Sequence, residues 1–391
     1  MGLRHNNTLT MSKKYLVYID ASNIGSGGGI GHLINVLKGA PSEIKGKEII
    51  YKVWCNNKLL SILPNKHNIE YKHGFLLSLP SPLNLFWNII VFRIICFFKK
   101  PNYIFCPGGY LLFSYPNSTI VFQNILPFLK DEIKRVSLFQ KLRNNIRYIV
   151  LKRSSKNASK YIFHTNNSYS IISQDFSSDK NYSIIPHGIN DSFRVSEQTM
   201  KDNLNNLENK ITQNKTICYT YIASGDAYKN NHELLESFNF MNKKNSEFIL
   251  NLVLSNGPIL SLILKEIEQS KIKHKINLYL NYSTNEIIKI LHHKTDIFLF
   301  SSSCETFGLT LVEGMASGLP IFAIKKSCIP EVLGGNACYF DVFDKQSLYS
   351  ETLNYFHKID DLKKITFLTW KHSKNYQWDR TVNDTWNFIF S

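Results

Sequence analysis

Two glutamates, Glu305 and Glu313, flank a glycine-bearing turn in the stretch CETFGLTLVEGMASG. The apolar run DIFLFSS before the turn predicts a buried strand, and the residues from Leu309 onward predict a helix. The N–H groups of Gly308, Leu309 and Thr310 would then lie unpaired at a helix start, where a phosphate can bind. Carboxylates accept hydrogen bonds from hydroxyl groups, which a sugar or a ribose offers in pairs. The turn predicts a site for an anionic, hydroxyl-rich ligand, although Glu313 could instead stabilise its own helix start.

A second candidate anion site is the glycine-rich stretch ASNIGSGGGIGHLINVL, directly after the first predicted strand. Glycines at a strand-to-helix turn let backbone N–H groups approach an anion, and Gly28 and Gly29 precede a helix predicted to start near His32. The stretch has no P-loop pattern, and no acid follows at the spacing of a dinucleotide fingerprint. A flexible turn without a ligand is the alternative.

A lysine occupies a third strand-to-helix junction, YIASGDAYKNNHELLESF. At such a position Lys229 can bind a diphosphate across the crevice as a point charge. A solvated loop lysine is the alternative. Lys229 is therefore a candidate cation for the ligand of the glutamate-flanked turn.

The elements that must position these residues alternate short apolar strands with longer helices, a pattern typical of parallel sheets flanked by helices. The strands predicted in the first half are 15–20, 49–54, 103–107, 119–124, 161–165 and 182–190. Those of the second half are 216–223, 248–255, 276–281, 296–302 and 319–324. Each half is predicted to be a doubly wound α/β unit with its ligand crevice at the carboxyl ends of the strands.

The length of 391 residues exceeds the size at which one core usually keeps growing, which favours two domains. We predict an N-terminal Rossmann-like domain over 1–195 and a polar linker over 196–215. A C-terminal Rossmann-like domain over 216–372 follows, and the last helix, 373–391, returns to the N-terminal domain. Two such units facing each other leave a cleft between them.

The charge balance favours an anionic partner, since 46 Lys and Arg against 30 Asp and Glu give a formal charge of +16. Nine basic residues and no acidic one lie within 133–160, which is either a solvated face or a membrane-facing patch. Nucleic-acid binding is disfavoured because the basic residues are not interleaved with a reader motif. The seven cysteines and twelve histidines show no metal-ligand spacing, so we predict no metal site and a reducing, cytoplasmic setting.

The stretch LNLFWNIIVFRIICFFKK (83–100) is the most apolar segment of the first half. Asn84, Asn88 and Arg93 interrupt it, and it is shorter than a bilayer span. It is either a buried helix of an α/β domain or an interfacial helix in contact with a membrane. The start of the chain has no signal-peptide core.

The stretch SSCETFGLTLVEGMASGLPIFA, followed by SCIPEVLGGNACYFD, closely resembles the E-x7-E region of retaining glycosyltransferase family 4. The glycine stretch, VFQNILPF, IIPHGIN and SGDAYKNNHELLESF resemble further landmarks of that family, so the resemblance extends over nearly the whole chain. It implies the GT-B fold, an α/β architecture of two Rossmann-like doubly wound domains that face each other across a cleft.

The resemblance implies roles for the chemistry-bearing residues. Glu305 would contact the donor sugar, Glu313 would bind the ribose hydroxyls, and Lys229 would neutralise the leaving diphosphate. Preorganised donors aimed at that diphosphate would supply the catalysis, so no metal is implied. The other implied donor-binding residues are Gly28, Gly29, Ser224, Phe307, Gly308, Leu309 and Thr310.

Two positions depart from the family pattern. Many relatives carry an arginine five positions before the lysine, where this chain has Ser224, so the leaving group has one cation fewer or another basic residue supplies it. A histidine that often follows the fourth strand is replaced by Gln123. We assign the neighbouring Asn124, together with His187, to the sugar or acceptor side of the site.

The function implied is metal-independent sugar transfer with retention and without a cofactor. A hexose or deoxyhexose of the mannose, rhamnose or glucose type would pass from a nucleotide-sugar donor to a lipid-diphosphate-linked oligosaccharide in O-antigen or capsule synthesis. The positive charge and the apolar 83–98 segment further predict a cytoplasmic protein that associates peripherally with the anionic surface of the inner membrane. The alternative, raised by Ser224 and Gln123, is a catalytically silent GT-B protein that acts as a membrane-associated assembly partner.

Overall fold

Two parallel sheets flanked by helices make up the protein in the computed structural model, which describes residues 14–25, 27–79, 85–175, 181–244 and 247–391. The first sheet consists of β1 (Tyr15–Asp20), β2 (Glu43–Ile44), β3 (Lys47–Trp54), β4 (Ile69–Lys72), β5 (Tyr103–Cys106), β6 (Ser118–Val121), β7 (Lys160–Phe163) and β8 (Asn181–Ile184). Its parallel strands lie in the order β4-β3-β1-β5-β6-β7-β8, and β2 pairs antiparallel with β3. The strand order therefore reverses between β1 and β5, which makes this the switch point of the first sheet.

The helices of the first half cover this sheet and lead into the second half. They are α1 (Gly28–Lys38), α2 (Arg93–Lys99), α3 (Lys130–Lys134), α4 (Leu138–Asn157), α5 (Asn166–Ile172) and α6 (Glu197–Thr212). Helix α1 begins at Gly28, about one turn before the predicted start near His32. The 196–215 stretch is mostly the helix α6, whose Met200 and Leu204 pack with Trp370.

The second sheet is wholly parallel and follows the order β11-β10-β9-β12-β13-β14. Its strands are β9 (Ile217–Ser224), β10 (Phe248–Ser255), β11 (Ile276–Leu280), β12 (Ile297–Phe300), β13 (Ile321–Ala323) and β14 (Cys338–Tyr339). All four residues of β12 are buried, as expected for a strand covered by helices on both faces. The order reverses between β9 and β12, which makes this the second switch point.

The helices of the second half are α7 (Asn231–Lys243), α8 (Leu260–Gln269), α9 (Thr284–His293), α10 (Leu309–Ala316), α11 (Ile329–Val332), α12 (Ser347–His357), α13 (Ile359–Ser373) and α14 (Trp378–Phe390). The last of them, α14, packs on the first half of the chain. Trp386 Nε1 donates a hydrogen bond to the Val36 carbonyl at 2.9 Å, and Lys160 Nζ donates one to the Phe388 carbonyl at 3.0 Å. The C-terminus of the chain therefore completes the core of the N-terminal domain.

The apolar segment after residue 84 is amphipathic; Leu83 and Asn84 lie outside the described residues. A π-helical turn, Trp87–Phe92, leads into α2. Trp87 and Phe92 are buried, and the Asp20 carboxylate accepts hydrogen bonds from Trp87 Nε1 and from Asn88 Nδ2 at 2.7 Å. We had predicted either a buried helix or an interfacial helix for this segment. One face of the segment is buried in the domain, and the opposite face is exposed. Among the described helices, none combines the length and apolarity needed to cross a membrane.

Candidate active site

The starts of α1 and α10 meet in the cleft between the two sheets. A Cβ atom placed on Gly28 would lie 2.8 Å from Leu309 Cδ1, so the two helix starts are in contact and a side chain at Gly28 would displace the end of the Leu309 side chain. Gly308 precedes α10 with a φ of 85°, in the left-handed region that glycine adopts most readily. Neither helix start is capped by a side chain within the described residues, and neither has an acid in its first turn. The cleft therefore offers two positive helix ends to a single anion.

Lys229 and Glu305 form an ion pair beside these helix starts. The two side chains are only 16% and 14% exposed. Lys229 ends the 3₁₀ turn Ala227–Lys229 after β9, and Glu305 lies in the loop after β12. The second switch point therefore brings together two residues that are 76 positions apart in the sequence.

Several hydrogen bonds fix the loops that carry this ion pair. The Lys229 carbonyl accepts hydrogen bonds from the Tyr221 hydroxyl at 2.6 Å and from Ser301 Oγ at 2.9 Å. Ser327 Oγ accepts from the Glu305 N–H at 3.2 Å and donates to the Glu305 carbonyl at 2.7 Å. Both functional side chains therefore extend from a rigid backbone, which preorganises them for a ligand.

Glu313 lies in the second turn of α10, and its carboxylate accepts no hydrogen bond from any described residue. Burial raises the pKa of Glu313 to about 7. At pH 7 the side chain is thus divided between its neutral and charged forms. A carboxylate in this state can accept hydrogen bonds from a ligand hydroxyl without first giving up a protein partner.

Ser224 supplies no cation at the end of β9. Its hydroxyl donates a hydrogen bond to Asp226 Oδ2 at 2.6 Å, and its carbonyl accepts one from Asn231 Nδ2 at 3.1 Å. The side chain is therefore committed to the local turn, and a donor contact at Ser224 would have to compete with Asp226.

Two adjoining cavities of about 200 and 180 Å³ lie in the cleft. Gln123, Asn124 and Arg147 line both of them, and Glu305 and Arg143 line the larger one. The predicted residue Asn124 is thus at the site, although its Oδ1 accepts a hydrogen bond from the Leu126 N–H at 3.0 Å. We had not predicted the two arginines, since we had assigned the whole basic stretch to a surface.

The basic stretch 133–160 does not form one surface. Arg143 and Arg147 face the cleft. Arg135, directly after α3, pairs with Glu132 of that helix at 3.0 Å and with Glu233 of α7 at 2.6 Å. Arg143 and Arg147 are four residues apart on a helix, and this spacing was the signal in the sequence that the two arginines share a face.

His187 is buried, with 5% of its surface exposed. Its ring lies 5.3 Å from the Phe307 ring and 5.9 Å from that of Trp378, and it lines neither cleft cavity. His187 therefore packs against Phe307 beside the cleft, and its place on the sugar or acceptor side stays a prediction.

His32, His164 and His187 form a buried cluster whose nearest nitrogens all lie within 4.8 Å of one another. No histidine spacing in the sequence predicted it. The rings of His164 and His187 stack with centroids 3.7 Å apart and planes 31° apart, so their in-plane lone pairs do not converge on one point. Burial lowers the pKa of all three. The arrangement fits three neutral, packed imidazoles better than a set of metal ligands.

Hydrogen bonds also join the two domains around the site. Thr306 Oγ1 donates to the Gln123 carbonyl at 3.2 Å, and Thr165 Oγ1 donates to the Thr306 carbonyl at 3.0 Å. The Glu331 carboxylate accepts from the N–H groups of Asn166 at 2.7 Å and Asn167 at 2.9 Å. The cleft is therefore held in a defined arrangement at its base.

Parts of the chain are similar to known proteins in sequence. Residues 203–362 match the model of the family described as glycosyl transferases group 1. Over 109 residues the chain is 25% identical to O-antigen chain mannosyltransferase B from Escherichia coli. That match spans 28% of this chain and 29% of the length of the relative.

Solved structures are similar over nearly the whole chain. HepE from Anabaena, in complex with UDP and glucose, superposes with a TM-score of 0.67 at 14% identity, over 97% of this chain and 100% of that one. Sucrose-phosphate synthase from Thermosynechococcus elongatus gives 0.70 at 12% identity, over 96% and 98%. WaaG, a glycosyltransferase involved in lipopolysaccharide biosynthesis, gives 0.68 at 10% identity, over 96% and 99%. The predicted GT-B fold is confirmed, and the family match together with the fold supports a glycosyltransferase.

Proposed function

We propose that this protein is a retaining glycosyltransferase that moves a hexose or deoxyhexose from a nucleotide-sugar donor to a lipid-diphosphate-linked oligosaccharide. The observation that carries the proposal is the convergence of two uncapped helix starts and the Lys229–Glu305 pair in one interdomain cleft. A synthesis pathway for O-antigen or capsule polysaccharide is supported by the partial match to the mannosyltransferase and by the fold shared with WaaG.

The same convergence supports a mechanism without a metal ion. When the bond between the anomeric carbon and the diphosphate breaks, negative charge builds on the diphosphate. The Lys229 ammonium group and the N–H groups at the starts of α1 and α10 are fixed donors for that charge. Glu305 would bind the hydroxyls of the transferred sugar, and Glu313 would bind those of the ribose.

Nucleotide binding tests this proposal directly. We expect one of UDP, GDP and ADP to raise the melting temperature of the purified protein without added metal, since ligand at 100 times its Kd adds about 2.7 kcal/mol of stability. Because the pKa of Glu313 is about 7 and its charged form is the better acceptor, the affinity should fall up to about tenfold from pH 8 to pH 6.

The Glu313→Gln variant is the matched control, because it keeps an acceptor oxygen but cannot titrate. Its affinity should be lower at pH 8 and should change less with pH than that of the wild type, because the terminal phosphate of the nucleotide alone then titrates. A wild-type affinity that does not change with pH would remove Glu313 from the ribose site. Absence of a shift with all three nucleotides would favour the catalytically silent alternative, to which the lack of a cation at Ser224 also points.

The exposed face of the α2 region supports contact with an anionic membrane surface. Ile94, Phe97 and Phe98 are 50%, 70% and 74% exposed, and Lys99 and Lys100 follow directly. Apolar side chains beside lysines are typical of helices that lie in the interface of a bilayer. Contact of this face with the membrane would bring the cleft near a lipid-linked acceptor, with the protein on the aqueous side.

Replacing Phe97 and Phe98 by serine should weaken binding to vesicles that contain phosphatidylglycerol by roughly a hundred- to ten-thousandfold, since burying each ring contributes about 1.5–3 kcal/mol. Sedimentation with vesicles measures the binding, and the melting temperature should not change because both rings are exposed. Leu262→Ser on α8, where the side chain is 65% exposed, serves as the control in the other domain. Equal sedimentation of all variants would contradict the assignment of this face.

A further inference from the structure

Arg143 and Arg147 lie one turn apart on α4 and line the same cavity of about 200 Å³. Both side chains are partly buried. Among the described residues, neither guanidinium forms an ion pair with a carboxylate, and the buried Arg143 Nε has no hydrogen-bond partner. Two like charges at this spacing repel each other, so the arrangement is stabilised by an anion placed between them.

The carboxylates around the cavity do not balance these charges. Glu305 is paired with Lys229, which leaves Asp226 opposite two guanidinium groups. Burial and the nearby Arg147 both lower the pKa of Arg143, while Asp226 acts in the opposite direction. The wall formed by α4 therefore carries an uncompensated positive charge in the part of the cleft next to Glu305.

This cavity is distinct from the region between the two helix starts. Gly28, Leu309 and Lys229 do not line it, whereas Gln123, Asn124 and Gln140 of the N-terminal domain do. Arg147 also lines the adjoining cavity beside Asn23 and Gly108, at the carboxyl ends of β1 and β5. Arg143 thus faces the N-terminal side of the reaction centre, whereas Arg147 lies between this cavity and the adjoining one, which Gly29 at the start of α1 also lines.

We propose that the acceptor carries an anionic group, a phosphate or a carboxylate, within one sugar unit of the hydroxyl that receives the donor sugar, and that Arg143 and Arg147 bind this group. The inference rests on the proposed function, in which Glu305 contacts the donor sugar. Because Glu305 and both arginines line a single cavity with room for one sugar residue, the anion lies close to the reacting hydroxyl. Guanidinium groups bind phosphate and carboxylate through paired, charge-assisted hydrogen bonds.

The test compares charged and neutral sugars on the full-length protein saturated with the nucleoside diphosphate that stabilises it. Glucose 6-phosphate, glucuronate, methyl glucoside and inorganic phosphate are titrated and followed by calorimetry. We expect both charged sugars to bind more tightly than methyl glucoside and than inorganic phosphate alone. The Arg143→Gln/Arg147→Gln double variant should bind the charged sugars roughly ten- to hundredfold more weakly, with no change for methyl glucoside.

Arg153→Gln is the matched control, since Arg153 is an exposed arginine of the same helix that lines neither cavity. It should behave like the wild type. Equal affinity of wild-type protein for charged and neutral sugars, or no binding of either, would overturn the inference. So would a double variant that loses nucleotide binding instead, because the arginines would then serve the donor. If the wild-type protein binds no nucleotide, the proposed function is refuted. The sugar titration can then be done without nucleotide, and it still measures whether charged sugars bind more tightly than methyl glucoside.

Discussion

Replacing Lys229 by methionine is expected to lower kcat/KM for sugar transfer by roughly a hundred- to a thousandfold, measured with the nucleotide sugar identified by the binding screen. The ammonium group pairs with Glu305 in the cleft, where Glu305 lies in the loop that leads to the start of α10. Loss of a preorganised group that stabilises developing charge typically has an effect of this size. Glu305→Gln should lower the rate as well, because the paired residue would contact the transferred sugar.

The two changes should not add, because Lys229 and Glu305 act as one unit. The double variant Lys229→Met/Glu305→Gln is expected to be about as slow as the slower single variant. Lys229→Met leaves the Glu305 carboxylate nearly buried and without its partner, so its melting temperature should fall, and the double variant should recover part of that loss.

A comparable ion pair elsewhere separates activity from stability. Lys210 of α6 and Asp296 pair at 2.7 Å, and neither lines the cleft cavities. Lys210→Met should therefore lower the melting temperature while kcat/KM stays near the wild-type value. If Lys229→Met transferred sugar at the wild-type rate, Lys229 would have no part in stabilising the leaving group.

Acid should destabilise the folded protein through the buried histidine cluster. Burial, and next the nearby His164, lower the pKa of His32 well below 6.5, and His187 is affected in the same direction. The folded state therefore keeps these rings neutral, whereas the unfolded state takes up protons below pH 6.5. Stability is then lost as the pH falls below 6.5, by about 1.4 kcal/mol per pH unit for each histidine.

The His32→Leu variant isolates this effect, because both ring nitrogens of His32 lack a hydrogen-bond partner among the described residues. Urea unfolding between pH 7 and 5 should show a slope that is shallower than that of the wild type by about 1 kcal/mol per pH unit on average, approaching about 1.4 near pH 5. The slope of the wild type alone is not sufficient, because burial raises the pKa of Asp20 and Glu313. These carboxyl groups stabilise the folded state as the pH falls, whereas the buried histidines destabilise it. His67→Leu, at an exposed position, should leave the slope unchanged, and equal slopes for all three proteins would contradict the neutral cluster.

Much of the sheet architecture could be predicted from the sequence, because buried parallel strands are continuous apolar runs. The strands 15–20 and 248–255 were predicted with the bounds that the structure shows. The short strands β2, β4 and β14 were not predicted. Their pairing depends on neighbouring strands and leaves little pattern in two to four residues. The end of the predicted strand 182–190 was also wrong, since β8 stops at Ile184 and the chain continues as a loop.

The sequence by itself determined the parts of the site that depend on local spacing. The turn before α10, with Glu305 and Gly308, the position of Glu313 early in α10, and the junction at Lys229 are encoded by neighbouring residues. Helix starts and strand ends are local features. Only the tertiary structure decided which distant side chains share a space. Arg143 and Arg147 meet Glu305, and His32 meets His164 and His187, through the strand order and the rotation of the helices. The sequence showed the charge of the 133–160 stretch, but the direction of each side chain depends on how α4 packs across the cleft.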